Sequence, residues 1–158
     1  MHGQHHYNTF IRWTGNTGTG TASYRSYDRS HTISVENKAD ILCSSDPAFR
    51  GDNTKHNPEE LLVSSLSSCH MLWYLHLCAE AGVVVTAYTD HATGLMIETA
   101  NGGGAFTEVM LNPIVTITEK SKTDQAMALH KKANELCFIA NSVRFPVKHN
   151  PIIKFTES

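Results

Sequence analysis

Residues 57–82, NPEELLVSSLSSCHMLWYLHLCAEAG, constrain the fold more than any other stretch. Asn57 suits the N-cap of a helix, Pro58 its first helical position, and Glu59 and Glu60 the positive end of its dipole. Glu60 stands three residues after Asn57, where a capping box places its acid. Gly82 supplies the stop. Leu62, Leu66, Cys69, Trp73 and Leu77 recur at steps of three and four, so they are expected to form one buried stripe. On that spacing Cys69 faces the core and Cys78 is displaced around the cylinder. A free cysteine behaves as a small hydrophobe, so packing is the default reading of Cys69.

Strand-like runs flank this helix on both sides. Before it, NTFIRW (8–13) and HTISVEN (31–37) alternate apolar and polar residues, separated by the turn-rich TGNTGTGTAS. CSSDPAFRGDNTKHNP then reads as a loop, and loops of that length are often functional. After the helix, VVVTAYTDHA and GLMIETA read as strands, NGGGAF as a hairpin turn, and TEVMLNPIVTITEK as a third run. Pro113 marks that run as an edge or a bulge. A second helix is expected from Thr123 or Asp124, carrying Met127, Leu129, Ala133 and Leu136 toward Cys137, and NPIIKFTE closes the chain as a strand. The pattern is that of an α+β domain, with 1–158 as one domain.

Composition narrows the function. A net charge of −2 offers no basic footprint for nucleic acid. The N-terminal MHGQHHYNTFIRWTG has no apolar core of signal-peptide type, and no run approaches the ~18 apolar residues of a membrane span. The expected setting is the cytoplasm, without nucleic-acid or membrane partners. There the four cysteines, Cys43, Cys69, Cys78 and Cys137, are not a stabilising disulfide framework. No C-x-x-C occurs, which removes the zinc-ribbon and thioredoxin patterns. The ten histidines include the N-terminal HGQHH, which suits weak binding of a transition ion. No H-E-x-x-H is present, and Cys69 and His70 point to different helix faces. No metal site and no cofactor is expected.

At HNPEELLVSSLSSCHM the chain resembles the OsmC/Ohr family of thiol-dependent peroxidases. The family pattern is Asn-Pro-Glu with a cysteine ten residues after the Glu, met here by Asn57, Pro58, Glu59 and Cys69. A second cysteine on a later helix is matched by Cys137 in HKKANELCFIANS. The resemblance implies an OsmC-like fold, antiparallel sheets around a long central helix in an intertwined homodimer. It implies reduction of organic hydroperoxides, with hydrogen peroxide a further candidate, at sites on the subunit interface. Cys69 would be the peroxidatic cysteine and Cys137 the resolving one, with dihydrolipoamide or a similar dithiol as reductant. The alternative on the same fold is a non-catalytic small-ligand-binding or redox-sensing protein.

The resemblance also asks for an Arg and a Glu. Only a thiolate attacks a peroxide, and a guanidinium nearby favours the ionised form. Glu59 could hold that guanidinium by paired hydrogen bonds. Arg50, in DPAFRGDNTKHNPEE, is the first choice, followed by Arg29 and Arg25. On one straight helix Glu59 and Cys69 lie roughly 15 Å apart, which excludes direct contact. A partner chain could supply its own Arg and Glu. Cys43 and Cys78 are read as packing residues, and the dimer interface is expected to bury Leu62, Leu66 and Trp73 or their helix neighbours.

Overall fold

Asn57 and Glu60 form the expected reciprocal cap in the computed structural model, which describes residues 3–155. Asn57 Oδ1 accepts from the Glu60 amide at 2.8 Å, and Glu60 Oε2 accepts from the Asn57 amide at 3.3 Å. The helix they open, α1, runs Pro58–Glu80. At its other end Gly82 adopts φ 67°, and the Val83 amide donates back to the Cys78 carbonyl at 2.8 Å. That is the left-handed helix stop for which glycine has no steric penalty.

The chain divides into two compact units, residues 1–61 and 62–158. In the first, β1 (Phe10–Trp13), β2 (His31–Ser34) and β3 (Ile41–Cys43) form an antiparallel meander with Ile11, Ile33 and Ile41 in register. The glycine-rich stretch between β1 and β2 is a turn region. Asn16 Oδ1 accepts from the Gly18 and Gly20 amides there, and Trp13 Nε1 donates to the Asp28 carbonyl. The loop after β3 holds a 3₁₀ turn, Pro47–Phe49, capped by Asp46 Oδ1 on the Ala48 amide. Gly51 follows, passing so close to the Ser45 carbonyl oxygen that a Cβ would lie 1.6 Å from it. Only glycine fits there.

The second unit builds two three-stranded sheets. They use β4 (Val85–Asp90), β5 (Thr93–Glu98), β6 (Gly104–Leu111), β7 (Pro113–Ile117), β8 (Val147–His149) and β9 (Ile152–Phe155), in the orders β4-β7-β9 and β5-β6-β8. The β4/β7 and β5/β6 pairs are antiparallel, whereas β8 and β9 add in parallel to β6 and β7, which makes both sheets mixed. The run expected as one strand through Pro113 is two strands in different sheets. Asn112 makes the corner: its amide donates to Asp90 Oδ1 at 2.7 Å and its Nδ2 to the His91 carbonyl at 2.9 Å. Pro113 is neither edge nor bulge. It is the first residue of β7, a position that tolerates a missing N–H.

Helix α2 spans Thr123–Leu136. Its buried face is Ala126, His130 and Ala133, while Met127 is exposed. The stripe on α1 is also displaced. Leu66, His70, Tyr74 and Cys78, at steps of four, are its fully buried residues, while Cys69, Trp73 and Leu77 are half-buried. Leu66 packs with Val109 and Leu111; Tyr74 and Cys78 pack with Val115, Ile117, Ala126 and Ala133. The two stripes are offset by one position, and a helix with apolar residues on most faces lets tertiary contacts choose between them. By length and composition α1 could also cross a membrane, which the sequence reading did not expect. Its buried face is nevertheless seated on side chains of the second unit. Of the expected NPIIKFTE strand, Ile152–Phe155 is strand, Asn150 and Pro151 precede it, and Thr156 and Glu157 lie outside the described residues, as does His2 of HGQHH.

Candidate active site: two thiols beside an apolar cavity

Helix periodicity places Cys69 on the face of α1 adjoining the buried stripe, half-exposed, and Cys137 at the C-cap of α2, fully buried. The two side chains are neighbours: the Cys69 thiol acts on Cys137 and raises its pKa, and both thiols are free. Burial, then the Cys69 thiol, pushes the pKa of Cys137 up to about 11, and the Ala140 and Ile139 amides offset part of that rise. The Ala140 N–H donates to Cys137 Sγ at 3.4 Å. Cys137 therefore rests as a thiol at neutral pH. Cys43 and Cys78, read as packing residues, are buried, and burial raises both of their thiol pKa values.

Cys69 opens onto a cavity of about 590 Å³. Leu72, Trp73, Phe138 and Ile139 give it apolar walls, and Ser65, Ser68 and His76 complete the lining. Trp73 and Phe138 meet edge to face with centroids 5.7 Å apart. Leu72 is 63% exposed and Phe138 70% exposed. Leu66, expected at a subunit interface, is fully buried within the chain and has no surface to offer one.

The other expected site residues fall in the first unit. Glu59 lies in the first turn of α1, and its Oε2 is buried with no hydrogen-bond partner among the described residues. Arg50 closes the 3₁₀ turn in a left-handed conformation (φ 65°), with an exposed side chain. Arg29 is already engaged: Nη1 donates to the Tyr27 carbonyl at 2.6 Å and Nη2 to the Tyr24 carbonyl at 2.7 Å. Its guanidinium also lies over both tyrosine rings, at 4.3 and 4.2 Å. Arg25 is exposed. Arg144 is the arginine of the second unit, and it lines a different cavity, with Phe106 and Phe145.

Sequence reasoning missed the buried imidazoles beside this site. His70 and His130 are hydrogen-bonded, Nε2 to Nδ1, at 3.0 Å, with His149 of β8 next to both. The signal was available in the steps of four that join Leu66, His70, Tyr74 and Cys78. Counting histidine as polar hid it. No group of three or more metal-ligating side chains with the geometry to hold an ion occurs among the described residues.

Neighbouring free thiols beside an apolar cavity, on an α+β fold with a 23-residue helix, make this a thiol-bearing α+β protein. The family model described as OsmC-like protein matches residues 51–151, and the chain belongs to that family. An OsmC-like protein of unknown function from Vibrio cholerae is 32% identical, with a TM-score of 0.85 over 94% of this chain and 100% of that one. An organic hydroperoxide resistance protein from Elizabethkingia anophelis is 18% identical, with a TM-score of 0.66 over 97% and 99% of the two chains. One from Legionella pneumophila is 16% identical, with a TM-score of 0.63 over 96% and 99%. These last two likenesses bear on the fold alone. No curated protein matches the chain.

Proposed function

We propose that this chain is a cytoplasmic cysteine-based peroxidase that reduces organic hydroperoxides with the pair Cys69 and Cys137. The observation that carries the reading is a pair of neighbouring free thiols, one of them lining an apolar cavity. The more accessible sulfur faces the space a substrate would fill, and the buried one is held protonated. In the first step the Cys69 thiolate attacks the distal peroxide oxygen, the O–O bond breaks, and the alkoxide takes a proton and leaves as alcohol. Cys69 is then a sulfenic acid. Cys137 attacks that sulfur, forming the disulfide and releasing water. A dithiol of the dihydrolipoamide class returns both sulfurs to thiols and is itself oxidised to a disulfide.

The test is steady-state consumption of cumene hydroperoxide, tert-butyl hydroperoxide and hydrogen peroxide, with dihydrolipoamide and thioredoxin as reductants. Many turnovers per subunit are expected with an organic hydroperoxide and a dithiol. Consumption that stops at the thiol content of the protein would leave a ligand-binding or redox-sensing role in its place.

The roles of the two sulfurs are separable. Cys137→Ser should reduce one equivalent of hydroperoxide and stall, with sulfinic or sulfonic acid at Cys69 by mass spectrometry. The unaltered protein should show a Cys69–Cys137 bond instead. No disulfide after stoichiometric peroxide would make Cys137 a packing residue.

In this reading the single OsmC-like domain works as a homodimer. No arginine of the second unit lines the Cys69 cavity, and exposed Leu72 and Phe138 offer apolar surface to a second copy. Arg50 is the proposed activator, and Glu59, with one buried oxygen unpartnered, has capacity to bind its guanidinium. Sedimentation at micromolar protein should give a dimer. Arg50→Ala should slow the alkylation of Cys69 at neutral pH. An unchanged rate would pass the role to Arg25, because the Arg29 guanidinium is already held.

A further inference from the structure

The second unit buries two imidazoles that the proposed chemistry does not use, with a third, His149, half-buried beside them. His70 is 1% exposed and His130 is 0% exposed. Their ring planes are inclined by only 8°, with centroids 5.3 Å apart and the facing nitrogens 3.0 Å apart. Those three values together place the rings edge to edge in one plane, the alignment of an N–H···N hydrogen bond rather than a face-to-face stack. His149 closes the group, at 5.6 and 6.3 Å from the other two centroids. Tyr74 stacks on His130 at 3.8 Å, and its hydroxyl donates to the Ala126 carbonyl at 3.1 Å. Helices α1 and α2 are thus tied through two polar links within one turn of each other.

Apolar side chains would fill this space without leaving polar atoms bare. Here His70 Nδ1, His130 Nε2 and His149 Nδ1 are buried without a hydrogen-bond partner among the described residues. In either tautomer of the His70–His130 pair, one buried ring N–H has no acceptor, and each such group carries a desolvation penalty. Directional bonds return geometric definition for that cost, as buried polar groups do in some other systems. His70 follows Cys69 directly, so anchoring its ring fixes the rotation of α1 about its own axis. His130 precedes Cys137 by seven residues, two turns on the same face of α2.

We infer that the His70–His130 hydrogen bond is a positioning device that locks α1 against α2 and thereby holds Cys69 within bonding reach of Cys137. The inference rests on the reading of Cys69 and Cys137 as a redox pair, but not on peroxide turnover. A disulfide requires Cα atoms about 4.4–6.8 Å apart, so small rotations of either helix weaken the pairing. Both histidines act through the thiols and touch no substrate.

The test is the disulfide equilibrium of the full chain against a dithiothreitol redox buffer, read by alkylation and mass. The apolar pair His70→Leu/His130→Met should fold, as judged by circular dichroism, yet form the Cys69–Cys137 bond at least about tenfold less favourably, a rise of about 30 mV in potential. The pair His70→Gln/His130→Asn can set an amide N–H donor where one bonded ring nitrogen stood and an amide oxygen acceptor where the other did, and should restore the equilibrium to within about threefold. Should the apolar pair fail to fold, His130→Phe, which keeps a ring against Tyr74 and removes one member of the hydrogen bond, should show the same loss. A folded apolar variant with the unaltered equilibrium overturns the inference while leaving the redox pair standing. If the unaltered protein forms no Cys69–Cys137 bond in any buffer, the redox-pair reading and the inference fall together.

Discussion

Replacing Cys69 by serine should cut hydroperoxide consumption to the uncatalysed background, a loss of at least about a thousandfold, as expected when a covalent nucleophile is removed. The other sulfurs are poor substitutes. Cys43, Cys78 and Cys137 are all buried, and burial raises their thiol pKa values, so none is both accessible and ionised at neutral pH. Cys69 lines the cavity. The measurement is initial rate with cumene hydroperoxide at saturating dithiol, beside a circular dichroism spectrum showing an unchanged fold. If Cys69→Ser keeps even a tenth of the activity, another residue is the nucleophile.

Acid should destabilise the second unit well before its carboxylates are neutralised. Burial holds His70 at a pKa of about 4 and His130 at about 3, against an ordinary value of 6.5. The charge of His149 lowers His70 further and Asp90 partly offsets that, while the charges of His70 and then His149 lower His130 further. Folded pKa values below the unfolded ones mean that the unfolded chain binds more protons between pH 6.5 and about 4. Stability is therefore fully present above pH 6.5 and falls as the pH drops through that window. At pH 5 each imidazole costs about 2 kcal/mol, so the pair costs about 4 kcal/mol relative to pH 7. Asp52, held at about 2 by hydrogen bonds from Thr54, titrates below this window. Urea unfolding at pH 7 and pH 5 measures the difference directly. His70→Leu/His130→Met should flatten it, and a fall below about 1 kcal/mol in the unaltered protein would show that the pair is not buried neutral.

How much of this was legible in the sequence depends on the range of the interaction involved. The N-cap, capping box and glycine stop of α1 involve neighbours within a few residues, so Asn57, Glu60 and Gly82 announced both ends of the helix. The α+β class followed from periodicity, and the motif residues Asn57, Pro58, Glu59 and Cys69 carried the family resemblance. The choice of buried face was not local. Two stripes one position apart on α1 are both largely apolar, and sheet contacts with Val109, Leu111, Val115 and Ile117 selected Leu66, His70, Tyr74 and Cys78. Tertiary structure alone decided three further things. It brought the thiols of Cys69 and Cys137 together across 68 positions, split the Pro113 run into two sheets at Asn112, and made a buried hydrogen-bonded pair of His70 and His130. The physical reason is the same in each case: a helix or strand specifies its own backbone bonds, but which side chains lose their water is set by the surface that docks against them.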